Sequence, residues 1–272
     1  MIVFPNAKIN LGLQVTARRP DGYHDIATVF YPVSCTDVLE AVRAEKFSFT
    51  SSGLVIDASA DNNLCVKAWK LLQQDYQLAP VAMHLHKNIP MGAGLGGGSA
   101  DGAFTLLLLN DLFRLDIPEE KLLTYALRLG SDCPFFILNK PVYATGRGEL
   151  MAPVNVPDLT GKKILLVNPG LHISTPWAFN QLTLKQHQTY LPDLVQQPIS
   201  NWKNNLENDF EKIVFQEYPQ LETIQLKLYE QGAIFAGMTG TGSTMFGIFN
   251  TLPDHSLADF PDNCKLIPLD LR

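Results

Sequence analysis

From Gly92 to Ser99 the chain reads "GAGLGGGS", seven of eight residues being glycine, alanine or serine, and it then passes through Ala100, Asp101 and Gly102 into "AFTLLLLNDLF". A run this bare is costly to order, because glycine surrenders more backbone freedom on folding than any other residue. A helix start contributes unpaired N–H donors and about half a positive charge. Together they allow main-chain donors to close on an anion with no Cβ in the way, so the segment reads as a phosphate cradle whose helix begins near Ser99. A plain mobile turn is the other reading of the same residues. No GxxxxGK[ST] motif occurs, which excludes the P-loop. "GAGLGG" satisfies GxGxxG and Asp116 lies at about the spacing of a ribose-binding acid. Against a dinucleotide site, Asn88, Ile89 and Pro90 interrupt the strand that should run into the glycines.

Elements on either side follow from periodicity. "KINLGLQVT" alternates, with Ile9, Leu11, Leu13 and Val15 on one face and Lys8, Asn10, Gly12 and Gln14 on the other, which predicts a half-buried strand. A Pro-Asp-Gly turn separates it from "IATVFYPV", and "KFSFTSSGLVI" and "VAMHLH" read as further strands. "NLCVKAWKLLQQDY" has helical spacing. Asp116, Pro118 and Glu119 predict a helix start, with Gly130 as its C-cap. Prolines around residues 150 to 160 mark a domain boundary, giving an expected division into 1–153 and 154–272. Beyond it we expect a strand at "KKILLVN", a turn at "PGLHISTPWAF", helices within 205–216 and 221–230, a strand–glycine loop–strand unit at "AIFAGMTGTGSTMFGIF", and an extended "CKLIPL".

Charge narrows the partners. A net charge of −6 with 18% charged residues lacks the basic footprint that nucleic acid or an anionic membrane requires. Apolar runs fall short of the roughly 20 residues that span a bilayer, and "IVFPNAKINL" after Met1 shows no basic segment and cleavage site. We therefore expect a cytoplasmic protein, with no obligate protein partner evident. Cys35, Cys65, Cys133 and Cys264 are scattered, without a CxxC pair, and read as reduced thiols rather than a zinc site.

"PMGAGLGGGSAD" resembles the second motif of the galactose, homoserine, mevalonate and phosphomevalonate (GHMP) kinase superfamily, whose loop surrounds the phosphates of ATP. "FPNAKINLGLQVTARRPDGYHDIATVF", "GSDCPFF" and "GMTGTGSTMFG" resemble the remaining signatures of one branch. That branch phosphorylates a cytidylyl-linked methylerythritol in the non-mevalonate isoprenoid pathway. The resemblance spans most of the chain in order. It implies an α+β fold of two domains, a ribosomal-protein-like N-terminal one and a ferredoxin-like C-terminal one, with the active site in the cleft between them. It implies transfer of the γ-phosphoryl group of ATP, with a divalent metal such as Mg²⁺, to the 2-hydroxyl of the cytidine diphosphate-linked substrate. Another small-molecule kinase of the superfamily and a non-catalytic relative are the alternatives.

Roles carried over by the resemblance fall on matching residues. Asp132 becomes the base, although on residue type alone an aspartate two places ahead of proline reads as a helix N-cap. Lys8, otherwise a solvated strand lysine, becomes the charge that supports it. Pro90, Gly92, Gly94, Leu95, Gly96, Gly97, Gly98 and Ser99 form the ATP loop, Ser99 approaching the metal or β-phosphate, with Asn63 and Lys87 near adenine. Asn10, Tyr23, His24, Thr175 and Phe179 are assigned to the substrate, His24 hydrogen-bonding cytosine and Phe179 stacking beside it. Thr239 and Gly240 are expected to be the cleft-exposed part of the second glycine loop. No carboxylate is nominated as a metal ligand. Gly102 departs from the alanine common in the family's first helical turn, a change worth roughly 1 kcal/mol of helix stability.

Overall fold

The structure, a computed structural model, describes residues 1–56, 60–252 and 260–271. Residues 57–59, within the stretch "SSGLVIDASADNNL" that leads to Asn63, lie outside the described residues. The strands are β1 (Ile2–Val3), β2 (Asn6–Arg18), β3 (His24–Thr36), β4 (Val38–Arg43), β5 (Ser48–Gly53), β6 (Val81–Lys87), β7 (Val142–Thr145), β8 (Leu150–Pro153), β9 (Lys163–Asn168), β10 (Phe235–Met238), β11 (Met245–Phe249) and β12 (Lys265–Asp270). The helices are α1 (Leu64–Tyr76), α2 (Gly97–Phe113), α3 (Glu119–Leu129), α4 (Cys133–Leu138), α5 (Thr175–Gln181), α6 (Leu191–Val195), α7 (Asp209–Glu217) and α8 (Pro219–Glu230). The class is α+β, as the sequence predicts.

Two compact units emerge. The first comprises Met1–Ala7, Cys35–Ile89 and Gly96–Lys140. Its sheet has the order β1-β4-β6-β5, with β5 parallel to β6 and the other pairs antiparallel. Helix α2 is apolar on nearly every side because it is covered on nearly every side, by α1, α3, α4 and the strands β1 and β4. Its N-cap is Gly96, so the helix starts two residues earlier than Ser99. Gly102 belongs to the second turn, not the first, and a Cβ there would come within 2.9 Å of the Leu64 Cβ. The glycine lets α1 and α2 approach closely, which outweighs its lower helix propensity.

The second unit comprises Lys8–Ser34, Pro90–Leu95 and Pro141–Arg272. It holds the sheet β2-β3-β7-β8 and an antiparallel sheet β10-β11-β9-β12 covered by α8. Its core gathers Leu13 and Val15 of β2, Val167, Phe210, Leu228 and Met238. Strand β2 is not half-buried: Lys8, Asn10 and Gln14, on the face assigned to solvent, are as enclosed as the apolar face.

Three local expectations change. Asp116 does not cap α3; it adopts φ 52°, and Pro118 takes the N-cap position. Gly130 ends α3 in an extended conformation, so a left-handed cap is not what glycine supplies there. "STPWAF" begins α5 rather than a turn, because Ser174 caps it by accepting from the Trp177 N–H and Pro176 suits the first turn.

Candidate active site

Lys8 enters β2 with its backbone N–H donating to the Leu95 carbonyl at 3.0 Å, which ties the strand to the glycine loop. Its side chain is 4% exposed and its ammonium donates to Asn10 Oδ1 at 2.6 Å, with the Phe30 ring 5.1 Å from the cation. Asn10 Oδ1 also accepts from the Gly240 N–H at 3.0 Å and from the Thr239 hydroxyl at 3.2 Å. The Asn10 amide group donates to the Thr28 hydroxyl at 2.9 Å, which in turn donates to the Gly12 carbonyl at 2.5 Å. A buried ammonium is stable only when its donors are met, and this chain of polar groups fixes one of them on Asn10. Sequence reading missed Thr28, because nothing in "IATVF" marks a polar residue for the interior.

The two glycine loops interlock. Gly94 has φ 78°, and a Cβ there would lie 2.0 Å from the Thr239 carbonyl oxygen; a Cβ on Gly240 would lie 3.0 Å from the Gly94 Cα. No side chain fits at either place. Ala93 accepts from the Thr244 N–H at 3.3 Å, so the hairpin between β10 and β11 holds the first loop along its length. Thr239 is buried, not cleft-exposed: besides the Asn10 bond, its hydroxyl is 3.0 Å from the Gly94 carbonyl. Asn208, the cap of α7, donates to the carbonyls of Met238 and Gly240 at 2.9 and 2.8 Å. Glu211 accepts from the Met238 N–H at 2.7 Å; burial pushes its carboxyl up to about 7, opposed by that hydrogen bond. The "NDF" of residues 208–210 signals a helix cap, but no sequence feature links it to a loop 30 residues away.

The residues assigned to cytidine collect in one place. His24 and Phe179 stack with centroids 4.8 Å apart and planes at 22°, and Phe210 meets Phe179 edge-on at 4.8 Å. Tyr23 is 56% exposed with the Arg147 guanidinium over its ring at 5.0 Å. Thr175 is exposed, its hydroxyl 3.2 Å from that of Thr241. Such a pair of stacked rings, with a cation over the neighbouring Tyr23 and the Thr175 hydroxyl on the helix that carries Phe179, suits a heteroaromatic base with a charged tail.

In the first unit, Gly96, Gly97, Gly98 and Ser99 form the start of α2. A Cβ on Gly98 would meet nothing within 4 Å, so the fold leaves open space above that turn. Asp132 occupies the residue before α4 yet makes no capping hydrogen bond, and its αR backbone is not that of a cap. Its carboxylate is thus not committed to helix capping. Asn63 caps α1 by accepting from the Cys65 N–H at 2.8 Å. Lys87 is enclosed, its ammonium bonded to Asp37 and, at 2.7 Å, to Asp101. Pro90 and Leu95 are buried and Gly92 is exposed. Burial pushes the Cys133 thiol up to about 12, which makes it inert at neutral pH. None of the four cysteines is part of a disulfide.

Among the described residues there is no group of three or more His, Cys, Asp or Glu side chains placed to hold a metal. Among the same residues no helix is long and apolar enough to cross a membrane.

Residues 63–140 match the family described as GHMP kinases N terminal domain, and residues 190–259 match GHMP kinases C terminal. A Cytophaga hutchinsonii protein named 4-diphosphocytidyl-2-C-methyl-D-erythritol kinase is 48% identical over 254 residues, covering 93% of this chain and 94% of its own. A Bacteroides fragilis protein of the same name is 49% identical over 264 residues, covering 96% of both chains. The crystal structure of a 4-(cytidine 5'-diphospho)-2C-methyl-D-erythritol kinase superposes with a TM-score of 0.79 at 29% identity, over 99% of each chain.

Proposed function

Since the chain belongs to the GHMP kinases, and among them to the 4-diphosphocytidyl-2-C-methyl-D-erythritol kinases, we propose a mechanism in which its two glycine loops and its buried Lys8 serve one phosphoryl transfer. The enzyme is a phosphotransferase with an alcohol acceptor. It moves the γ-phosphoryl group of ATP to the 2-hydroxyl of 4-diphosphocytidyl-2-C-methyl-D-erythritol, in isoprenoid precursor synthesis. The observation that carries the mechanism is the Lys8 ammonium, withdrawn from solvent and anchored 2.6 Å from Asn10 beside the glycine loop.

In the step itself the substrate oxygen forms a bond to the γ-phosphorus, the bond from that phosphorus to the β-phosphate oxygen breaks, and ADP departs. Asp132 accepts the hydroxyl proton. Lys8 offsets negative charge on the transferring group, and Asn10 holds Lys8 in place. Residues 90–99 present main-chain donors to the triphosphate, with Asn63 and Lys87 on the adenine side and Ser99 toward the β-phosphate or metal. Mg²⁺, when bound, neutralises charge on the β- and γ-phosphate oxygens. His24, Phe179, Tyr23 and Thr175 orient the cytidine diphosphate portion; Thr239 and Gly240 shape the loop facing the acceptor. We assign nucleotide binding to 1–153 and completion of the substrate site to 154–272. This reading places the enzyme in the cytoplasm and requires no nucleic acid, membrane or obligate protein partner.

The stacked His24–Phe179 pair favours a cytidine-bearing acceptor over homoserine or mevalonate, neither of which has a base to stack. Purified protein with ATP, Mg²⁺ and each of those three acceptors tests this through ADP release. Turnover confined to the cytidylyl acceptor is the expected result; equal turnover of homoserine or mevalonate refutes it.

A further inference from the structure

The chain leaves the first unit at Ile89 and rejoins it at Gly96, so residues 90–95 are an excursion whose two ends belong to the same body. Those ends are joined underneath by three buried charged side chains. Asp37, between β3 and β4, accepts with Oδ1 from the N–H groups of Asn88 at 2.6 Å and Ile89 at 2.8 Å. Its Oδ2 accepts from the Lys87 ammonium. The same ammonium donates to Asp101 Oδ2 at 2.7 Å, and Asp101 is the fifth residue of α2. The side chains of Lys87, Asp37 and Asp101 are 2%, 0% and 5% exposed. A Cβ on Gly97 would lie 3.0 Å from the Lys87 Nζ and 2.9 Å from the Ile89 Cγ2, so the first turn of α2 rests directly on this group.

A lone cation under a helix N-terminus is unfavourable, because the helix already carries positive charge there. Two carboxylates reverse that, at the cost of taking three charges out of water. Hydrophobic residues would fill the same volume with less desolvation, so stability alone gives weak reason for this arrangement. What it supplies is a defined distance and direction between the last residues before the excursion and the first turn after it. Burial, opposed by the Lys87 charge, pushes the Asp101 carboxyl above the usual carboxylate range.

We propose that Lys87, Asp37 and Asp101 act as a buried staple that sets the spacing of the two ends of the phosphate loop, Lys87 being a positioning residue for ATP rather than a side-chain contact to adenine. The inference rests on the reading of that loop as an ATP site. Nucleotide affinity is measured directly, by competition with a fluorescent ADP analogue, together with steady-state KM values for both substrates. Asp101→Ala raises the Kd and KM for ATP roughly tenfold, while the KM for the alcohol acceptor stays within about twofold, since a loop displaced by a fraction of an ångström loses aligned donors. Asp101→Asn, which retains an oxygen for the Lys87 ammonium, restores the ATP constants to within about threefold. The triple variant Lys87→Met, Asp101→Leu and Asp37→Asn removes all three charges, keeps the volume filled and leaves an amide oxygen for the Asn88 and Ile89 N–H groups, so it recovers thermal stability and not ATP affinity.

Unchanged ATP affinity in that stably folded triple variant overturns the staple as a positioning device, and so does an equal rise in both KM values for Asp101→Ala. If the unmodified protein binds no ATP, the reading of the loop fails instead, which separates the two ideas.

Discussion

Gly98→Ala separates a glycine kept for the fold from one kept for a ligand. Gly98 is an exposed residue in the first turn of α2, is not among the residues with positive φ, and has nothing within 4 Å of where a Cβ would stand. The fold therefore has no steric or dihedral use for glycine there. Alanine should stabilise the helix by roughly 0.5–1 kcal/mol. For a chain of this size that is an increase in Tm of about 2 °C. If main-chain donors of this turn close on phosphate oxygens, the added methyl group occupies space the triphosphate needs. Loss of one charge-assisted hydrogen bond is worth roughly 1.5–3 kcal/mol, a ten- to hundredfold rise in the Kd for ATP. Differential scanning fluorimetry with and without ATP reads both quantities in one experiment. The expected pattern is a higher Tm for the free protein and a smaller upward shift on adding nucleotide. A variant that gains stability and keeps its full ATP-induced shift refutes the argument that the bare backbone exists for the ligand.

Other outcomes follow from the same account. Asp132→Asn should lower kcat by roughly 10²- to 10⁴-fold with nucleotide binding retained, because it removes a base and no binding contact; more than a tenth of normal turnover contradicts the assignment. Phe179→Ala should raise the KM for the cytidylyl acceptor at least tenfold and leave the KM for ATP within about twofold, since it removes half of the His24 stack. Glu211 bears on pH: its folded pKa of about 7 lies above the ordinary 4.5, so its contribution is intact at low pH and is lost as pH rises through that window. The loss approaches roughly 3 kcal/mol at most, less what solvent screening of a partly exposed side chain removes. Glu211→Gln should flatten the fall in unfolding free energy between pH 5 and 7 in urea titrations, and an unchanged slope would exclude Glu211 as its source.

The sequence carried most elements because their signals are local. The alternation of β2, the apolar run of α2 and the strand–loop–strand unit around Gly240 each depend on neighbours within a few residues. Burial was less legible. Lys8 and Asn10 lie on the polar face of an alternating strand, and contacts such as those of Asn10 with Thr28, Thr239 and Gly240, the last two 229 and 230 residues away in the chain, make that face interior. Thr239 was misplaced for the same reason, since a threonine in a glycine loop looks exposed until the loop it packs against is known. Asp37 and Lys87, 50 residues apart, carry no pattern that joins them. Gly102 shows the converse: a residue that weakens a helix by propensity is required by the neighbouring Leu64.

Phosphorus NMR of the product formed from ATP and 4-diphosphocytidyl-2-C-methyl-D-erythritol tests the central claim most directly. The account predicts one new phosphomonoester resonance, coupled to the carbon bearing the 2-hydroxyl, appearing in step with ADP. ADP formed with inorganic phosphate alone, or an ester at any other hydroxyl, would contradict it.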